Sequence, residues 1–149
     1  MLARILLSIC LSSGLARACS CAPTPLPRLT ARLLESAVVV FRGTITELRK
    51  SGPLDTMGMA HDTEQIAIFR VARVWKGEVG QRFEMRALET TTVCWGFSPE
   101  LLKVGTELLV YATKHPILGY ATSICYGHHR WVEGTSEVLD LGPGSAPSV

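Results

Sequence analysis

The chain has 149 residues, of which 47% are hydrophobic, and its 15 basic side chains nearly balance its 13 acidic ones. A chain of this length forms one domain with a hydrophobic core. Near neutrality without a basic tract disfavours binding to nucleic acid, because neutralising phosphates needs clustered Lys and Arg.

Residues 1–18 have the pattern of a secretory signal peptide. Arg4 precedes the apolar run 5–11, and a small-x-small cleavage motif ends at Ala18. Cleavage there leaves 131 residues that begin at Cys19, and loss of Arg4 and Arg17 leaves 13 basic groups against 13 acidic ones. The apolar run is too short for an anchor, and no other stretch approaches the roughly 18–20 residues of a membrane helix. We expect a secreted, extracellular protein without stable membrane insertion; the periplasm or cell envelope is the alternative location.

The remaining chain predicts one helix followed by five strands. Leucines at helical spacing indicate a helix over residues 28–36. Segments rich in β-branched and aromatic residues predict strands at 37–48, 66–75, 82–89, 106–113 and 120–126. Between the third and fourth strands, Ser98 as cap, Pro99 at the first helical position and Gly105 as stop predict one or two helical turns.

Two segments lie outside these elements. Residues 54–65, with Gly58 between two methionines, predict a mobile, partly apolar loop between the first two strands. Residues 142–149, Gly-Pro-Gly-Ser-Ala-Pro-Ser-Val, predict a disordered tail, so the domain is bounded at 19–141. Five short strands after one helix predict a mainly β fold, a small closed antiparallel barrel, although alternation alone also allows a sandwich.

Four cysteines remain after cleavage, since Cys10 lies in the signal, and an oxidising compartment pairs them. A bridge between Cys19 and Cys21 would be strained in so small a ring. Each therefore reaches a distant partner, Cys94 or Cys125, and the residues leave both combinations open. Either combination closes loops of roughly 75–105 residues, for which the chain-entropy model gives about 4 kcal/mol per bridge. The mature N-terminus is then tied to two distant segments.

Short motifs along the chain occur in an order typical of a known family. They are Cys19-Ser20-Cys21-Ala22-Pro23, Val-Val-Val-Phe-Arg-Gly at 38–43, Val-Trp-Lys-Gly at 74–77, Thr-Val-Cys-Trp-Gly at 92–96, residues 104–112, and Ser-Ile-Cys at 123–125. Together they resemble the tissue inhibitors of metalloproteinases and the wider netrin-like module, over about residues 19–126. The resemblance implies a five-stranded closed OB-fold-like barrel and the pairings Cys19–Cys94 and Cys21–Cys125. It is limited to the N-terminal inhibitory domain with two bridges, as in a bacterial-type member.

The processed N-terminus predicts a particular way of binding a metal. Cleavage exposes the α-amino group of Cys19 beside its own carbonyl oxygen, and these two atoms form a five-membered chelate ring around a metal ion. A catalytic zinc keeps one position for water, so a bidentate ligand there displaces the nucleophile. The amine has an ordinary pKa of about 7.7 to 8.0, so zinc binds its unprotonated form at modest cost near neutral pH. Two disulfides would hold the amino group and carbonyl of Cys19 in place before the metal binds, which reduces the entropy lost on binding.

The resemblance implies that this chelation inhibits zinc metalloproteases. We also expect a monomer with no cofactor or metal of its own. Ser20 would point into the first primed-side specificity pocket of the protease. Cys21, Ala22 and Pro23 would lie along the substrate cleft. Because Ser20 fills little of such a pocket, we expect broad, moderate affinity.

Other interpretations of the N-terminus are an interaction or adhesion module of the cell envelope and a lipoprotein. In the first, Cys19 and Cys21 form disulfides that only stabilise the domain, and the N-terminus binds no protease. In the second, Cys19 is acylated and cannot chelate, but Ala16 and Arg17 do not match the residues that lipid attachment favours.

The remaining polar and aromatic residues predict structural roles. His61, Asp62, Glu64, His128 and His129 lack partners at zinc-ligand spacing, so loop positions are expected for them. Four aromatic residues predict core or barrel-rim positions: Phe69, Trp75, Trp95 and Tyr111. Ser20, His128 and Asp62 are the residue types of a catalytic triad, but the sequence has no motif for a nucleophile elbow or an oxyanion loop. We therefore do not expect an enzyme.

Overall fold

The computed structural model describes Cys21 and residues 26–51, 64–88, 94–116 and 118–149. Its elements are α1 Leu26–Ser36, β1 Val39–Lys50, β2 Glu64–Lys76, β3 Arg82–Leu88, β4 Glu107–His115, β5 Gly119–Ala121, β6 His128–Arg130 and α2 Ser136–Leu141. The predicted helix and the first four predicted strands are confirmed. The fifth, predicted over 120–126, is confirmed only at its start, because β5 ends at Ala121 and residues 124–127 form a turn. A sixth strand and a second helix are additional. The predicted loop 54–65 lies almost wholly outside the described residues, between β1 and β2.

The strands form one antiparallel sheet in the order β3-β2-β1-β4-β5, and β6 also pairs with β4. β1 is central: it pairs with β2 along most of its length and with β4 over its first half. Three register shifts interrupt the β1–β2 ladder, and bulges of this kind bend a strand and increase its twist. As a result, Phe83 of β3 contacts Tyr120 of β5, with ring centroids 5.2 Å apart.

The predicted barrel closure is not seen in the strand pairing. Within the described ranges no ladder joins β3 to β5, so the sheet is mainly antiparallel but open. The sequence predicts strands through their alternation, whereas closure depends on how the two outer strands meet, which alternation does not specify.

The sheet has a hydrophobic cluster on each face because successive side chains of a strand point to opposite sides. On one face, Phe41 and Phe69 are fully buried with ring centroids 5.2 Å apart. On the other face, Val40, Leu109 and Tyr111 pack beneath the two helices. Both faces of β1 and β4 are therefore covered.

Helix α1 is held on the sheet by the end of β2. Lys76 Nζ donates hydrogen bonds to the carbonyl oxygens of Leu34 at 2.6 Å and Glu35 at 3.1 Å. These carbonyls lie in the last turn of the helix, where no backbone N–H remains to satisfy them. The contact fixes the end of α1 against the sheet. Neither helix of the described chain has the length and apolar character needed to cross a membrane.

The tail is ordered, unlike the disordered segment that its composition predicts. Val74 and Ser145 donate hydrogen bonds to each other's carbonyl oxygens, at 2.9 Å and 2.7 Å, and Ser148 bonds to the backbone of Val79 and Gln81. Low hydrophobicity predicts that side chains will not be buried. It does not predict backbone pairing with an uncovered strand, which is what orders residues 142–149.

Candidate functional site

The N-terminal cysteine of the described chain is bonded to the segment after β5. Cys21 and Cys125 form a disulfide across a sequence separation of 104 residues, which confirms this predicted pair. Cys94 is also disulfide-bonded, and its partner lies outside the described residues. Cys19, Ser20, Ala22 and Pro23 also lie outside them. The predicted Cys19–Cys94 bridge therefore stays a prediction.

The two segments that carry Cys94 and Cys125 lie side by side, and we call residues 94–98 and 122–128 the cysteine platform. Gly96 N–H donates to the Thr122 carbonyl at 2.7 Å. Ile124 N–H donates to the Cys94 carbonyl at 3.2 Å. Cys94 and Cys125, which are 31 positions apart in the sequence, therefore lie on two adjacent chain segments. Both bridges would anchor the N-terminus to the same part of the structure.

The first segment of the cysteine platform is anchored in the core by Phe97. Its side chain is fully buried and stacks on Phe69, with ring centroids 6.2 Å apart. Its N–H donates to the carbonyl of Leu88 at the end of β3, at 2.8 Å. Cys94 is therefore three residues from a fixed core side chain, which limits its movement.

The second segment is fixed by a tight approach to β4. Tyr111 N–H donates to the Gly127 carbonyl at 2.6 Å, and the buried Thr122 hydroxyl donates to the Tyr111 carbonyl at 3.0 Å. A Cβ at Gly127 would lie 2.3 Å from both the Ser123 nitrogen and the Thr122 hydroxyl oxygen. Only glycine fits there, so the turn around Cys125 has one compact arrangement.

His128 joins the two segments of the cysteine platform. Ser98 N–H donates to His128 Nε2 at 3.0 Å, and the Ser98 hydroxyl oxygen lies 3.3 Å from the same nitrogen. The imidazole also packs on Phe97, with ring centroids 4.7 Å apart. Burial lowers the pKa of His128 to about 4, so the ring is neutral at physiological pH and can accept the Ser98 N–H. Ser98 was predicted as a helix cap, and its side chain lies against His128 instead.

A groove lies between the cysteine platform and helix α1. Trp95 packs on His115 with ring centroids 5.0 Å apart, and His115 Nδ1 accepts the Leu118 N–H at 3.2 Å. The groove is lined on the helix side by Leu33 and Ala37. Cys21 itself is exposed, so the N-terminal end of the Cys21–Cys125 bridge lies at the surface and not in the core.

The histidines considered as metal ligands do not converge. His61 and Asp62 lie outside the described residues, and Glu64 begins β2. His128 and His129 are neighbours on β6, so they point to opposite faces; the first is buried and the second pairs with Glu137 at 2.8 Å. In the described part of the chain, no three His, Cys, Asp or Glu side chains are grouped to hold a metal ion.

A polar network of Tyr111, His129 and Glu137 was not predicted from the sequence. The Tyr111 hydroxyl donates to Glu137 Oε1 at 2.8 Å, and His129 Nε2 lies 2.8 Å from Glu137 Oε2. Burial favours the protonated acid, but the hydrogen bond and charge of His129, with the Tyr111 bond, outweigh it and lower the pKa of Glu137. Burial and the Glu137 carboxylate raise the pKa of Tyr111. The network ties α2 to the sheet and is structural.

A signal for α2 is present in the sequence. Thr135 is a favoured N-cap residue, and Gly142-Pro143 is a typical stop. Of the four predicted structural aromatics, Phe69 and Tyr111 are buried and Trp75 and Trp95 are half-buried, as expected for core and rim positions. Trp75 stacks on Trp131, with ring centroids 5.7 Å apart.

No protein-family model matches this chain, and no curated protein matches it significantly.

Proposed function

We propose that the mature protein is a secreted inhibitor of zinc metalloproteases, in which the free Cys19 amine and carbonyl chelate the catalytic zinc of the target. The observation that carries the proposal is the Cys21–Cys125 disulfide on a platform that also holds the bonded Cys94. Residue 21 is exposed and covalently fixed two positions after the proposed mature N-terminus. A chelating amine attached to such a point has little freedom left to lose on binding.

The proposal includes the pairing Cys19–Cys94. Ile124 N–H bonds to the Cys94 carbonyl, so Cys94 and Cys125 lie on adjacent chain segments. Two bridges at adjacent points fix both the position and the direction of the short segment between Cys19 and Cys21. A single bridge would leave that segment free to rotate about one anchor.

The proposal also includes an OB-fold-like, netrin-like arrangement of the sheet. In the order β3-β2-β1-β4-β5, closure requires only that β3 and β5 meet. The contact between Phe83 and Tyr120 brings these two outer strands together through side chains. This supports a barrel-like architecture in which the cysteine platform, which begins after β3 and continues after β5, lies at the closing side.

In the target cleft, Ser20 would enter the first primed-side pocket and Cys21, Ala22 and Pro23 would follow the substrate path. The groove beside Trp95 and His115 lies on the cysteine platform that holds Cys125, and we propose it as a second contact surface for the protease. Zinc would belong to the protease.

Adding one Ala before Cys19 tests the mechanism. The added residue replaces the chelating amine with an amide and moves the amino group by roughly 3.3 to 3.6 Å. We expect inhibition of a susceptible zinc protease to fall by orders of magnitude, measured as the inhibition constant over a panel of purified enzymes. Thermal stability should be unchanged, because the described contacts do not involve the added residue.

Ser20→Gly is the matched control, since it keeps the amine and removes only a small side chain. It should weaken inhibition less than the added Ala. Intact mass before and after reduction establishes that Cys19 is unmodified and that both bridges are formed. If the extended protein inhibits as well as the native one, the chelation mechanism is wrong, and an interaction module that uses another surface becomes the better explanation.

A further inference from the structure

The end of β2 has an edge that β3 leaves uncovered. β2 continues to Lys76, but its pairing with β3 ends at Arg70, opposite Arg82. Beyond that point, Val71 N–H still bonds to the Gln81 carbonyl, at 2.8 Å. A strand edge without a neighbour pairs readily with another extended chain.

The chain's own tail, residues 142–149, occupies this edge. Val74 and Ser145 exchange both backbone hydrogen bonds, and Gln81 N–H donates to the Ser148 carbonyl at 3.1 Å. Two sheet side chains also donate to tail carbonyls at 2.8 Å: Arg73 Nη1 to Pro143 and Trp75 Nε1 to Gly142. The Ser145 hydroxyl adds one side-chain bond, to the Val74 carbonyl at 3.2 Å, and the other tail atoms in these bonds belong to the backbone.

Tail side chains contribute little to this binding. None of residues 142–149 is buried. Segments held by exposed backbone hydrogen bonds, with few buried apolar contacts, open locally at a low free-energy cost. The hydrogen bonds between the tail and the edge of β2 can therefore break and re-form while the sheet itself stays folded.

Gly144 gives the docking its selectivity. Its φ is +63°, and a Cβ there would lie 2.9 Å from both Arg73 Cγ and the Val74 carbonyl oxygen. A residue with a side chain could not bring its backbone this close to β2. Gly142, with φ +73° and nothing within 4 Å of its Cβ position, joins α2 to the tail and is the hinge that release of the tail would use.

We propose that residues 73–81 form a strand-docking surface, that the tail occupies it reversibly, and that the tail of a second copy of this chain docks there when the resident tail leaves. The second copy carries the same glycine and the same backbone pattern, so it reproduces every contact of the resident tail. Exchange of an identical element between copies costs little beyond the change at the hinge. Strand addition at a sheet edge is a general mode of peptide binding.

The test starts with the full chain carrying Gly144→Ala, followed by amide hydrogen exchange resolved by NMR. We expect the Val74 and Gln81 amides to exchange about tenfold faster or more. Alanine at position 144 would have to adopt a positive φ, which is unfavourable for it, and its Cβ would clash with Arg73 and Val74. Gly134→Ala is the matched control: Gly134 has φ +76° but nothing within 4 Å of its Cβ position. It should leave both amides unchanged, and core amides of β1 and β4 should stay protected in both variants.

A synthetic peptide of residues 142–149 then serves as the tail of a second copy. Added to the Gly144→Ala chain, it should restore protection at Val74 and Gln81, whereas a peptide carrying Gly144→Ala should not. If the Val74 and Gln81 amides stay unprotected when the native peptide is added, docking of a second copy's tail is wrong. Unchanged exchange in the variant would overturn reversible occupancy. Should Gly144→Ala fail to fold, Ser145→Pro removes both the N–H and the hydroxyl that donate to the Val74 carbonyl and allows the same comparison.

Discussion

The cysteine platform and the C-terminal tail are both irregular segments attached to the sheet, but different forces hold them. The platform is fixed by disulfides, the buried Phe97 and a buried histidine. The tail is fixed by backbone hydrogen bonds and has no buried side chain. Ordered backbone alone therefore does not indicate a rigid segment; what a segment buries and bonds covalently decides how firmly it is held.

The largest expected effect concerns the platform. Replacing Cys21 and Cys125 together by Ser removes the closure of a loop with a sequence separation of 104, for which the chain-entropy model gives about 5 kcal/mol. We expect the free energy of unfolding in urea to fall by that order and inhibition to be lost. A double variant that stays as stable as the native chain would show that hydrogen bonds alone hold the platform.

The next effect is a pH dependence that belongs to the platform and not to the tail. The pKa of His128 is about 4 in the folded chain and about 6.5 when exposed, so the unfolded chain binds the proton first as the pH falls. Stability from the neutral ring is complete above pH 6.5 and is lost as the pH decreases to about 4. The lowering corresponds to about 3 kcal/mol. Urea unfolding at pH 7 and pH 4 measures it.

His128→Gln should remove this part of the pH dependence, because glutamine can still accept the Ser98 N–H but does not titrate. His115→Gln is the control: His115 also accepts a backbone N–H, from Leu118, but it is not buried. If the loss of stability between pH 6.5 and 4 persists in His128→Gln, another group causes it.

The smallest effect concerns the tail. Trp75→Phe keeps an aromatic ring against Trp131 and removes the Nε1–H bond to the Gly142 carbonyl. A single hydrogen bond of this kind contributes about 1 kcal/mol. Exchange should accelerate at the tail-bonded Val74 amide, while amides of the platform such as Gly96 stay protected. Equal acceleration at both would mean that the two regions open together.

Sequence patterns predicted most of the sheet, because β1 and β4 alternate between two buried faces. They predicted the Cys21–Cys125 pair only through the order of the motifs, since spacing left two combinations open. His128 was missed because a buried histidine has no spacing signal; its role depends on Ser98, which is distant in the sequence. The ordered tail was missed because its partner is an edge created when β3 ends its pairing with β2 at Arg70.

The long span of the Cys21–Cys125 bridge bears on how the protein is made. A chain is synthesised from its N-terminus, so Cys21 and Cys94 are both present before Cys125 emerges. Until then, oxidation can join Cys21 only to a cysteine that is not its final partner. The finished bond needs either delayed oxidation or reshuffling by thiol–disulfide exchange. Yield of correctly bridged protein should therefore depend on the isomerase activity of the production host.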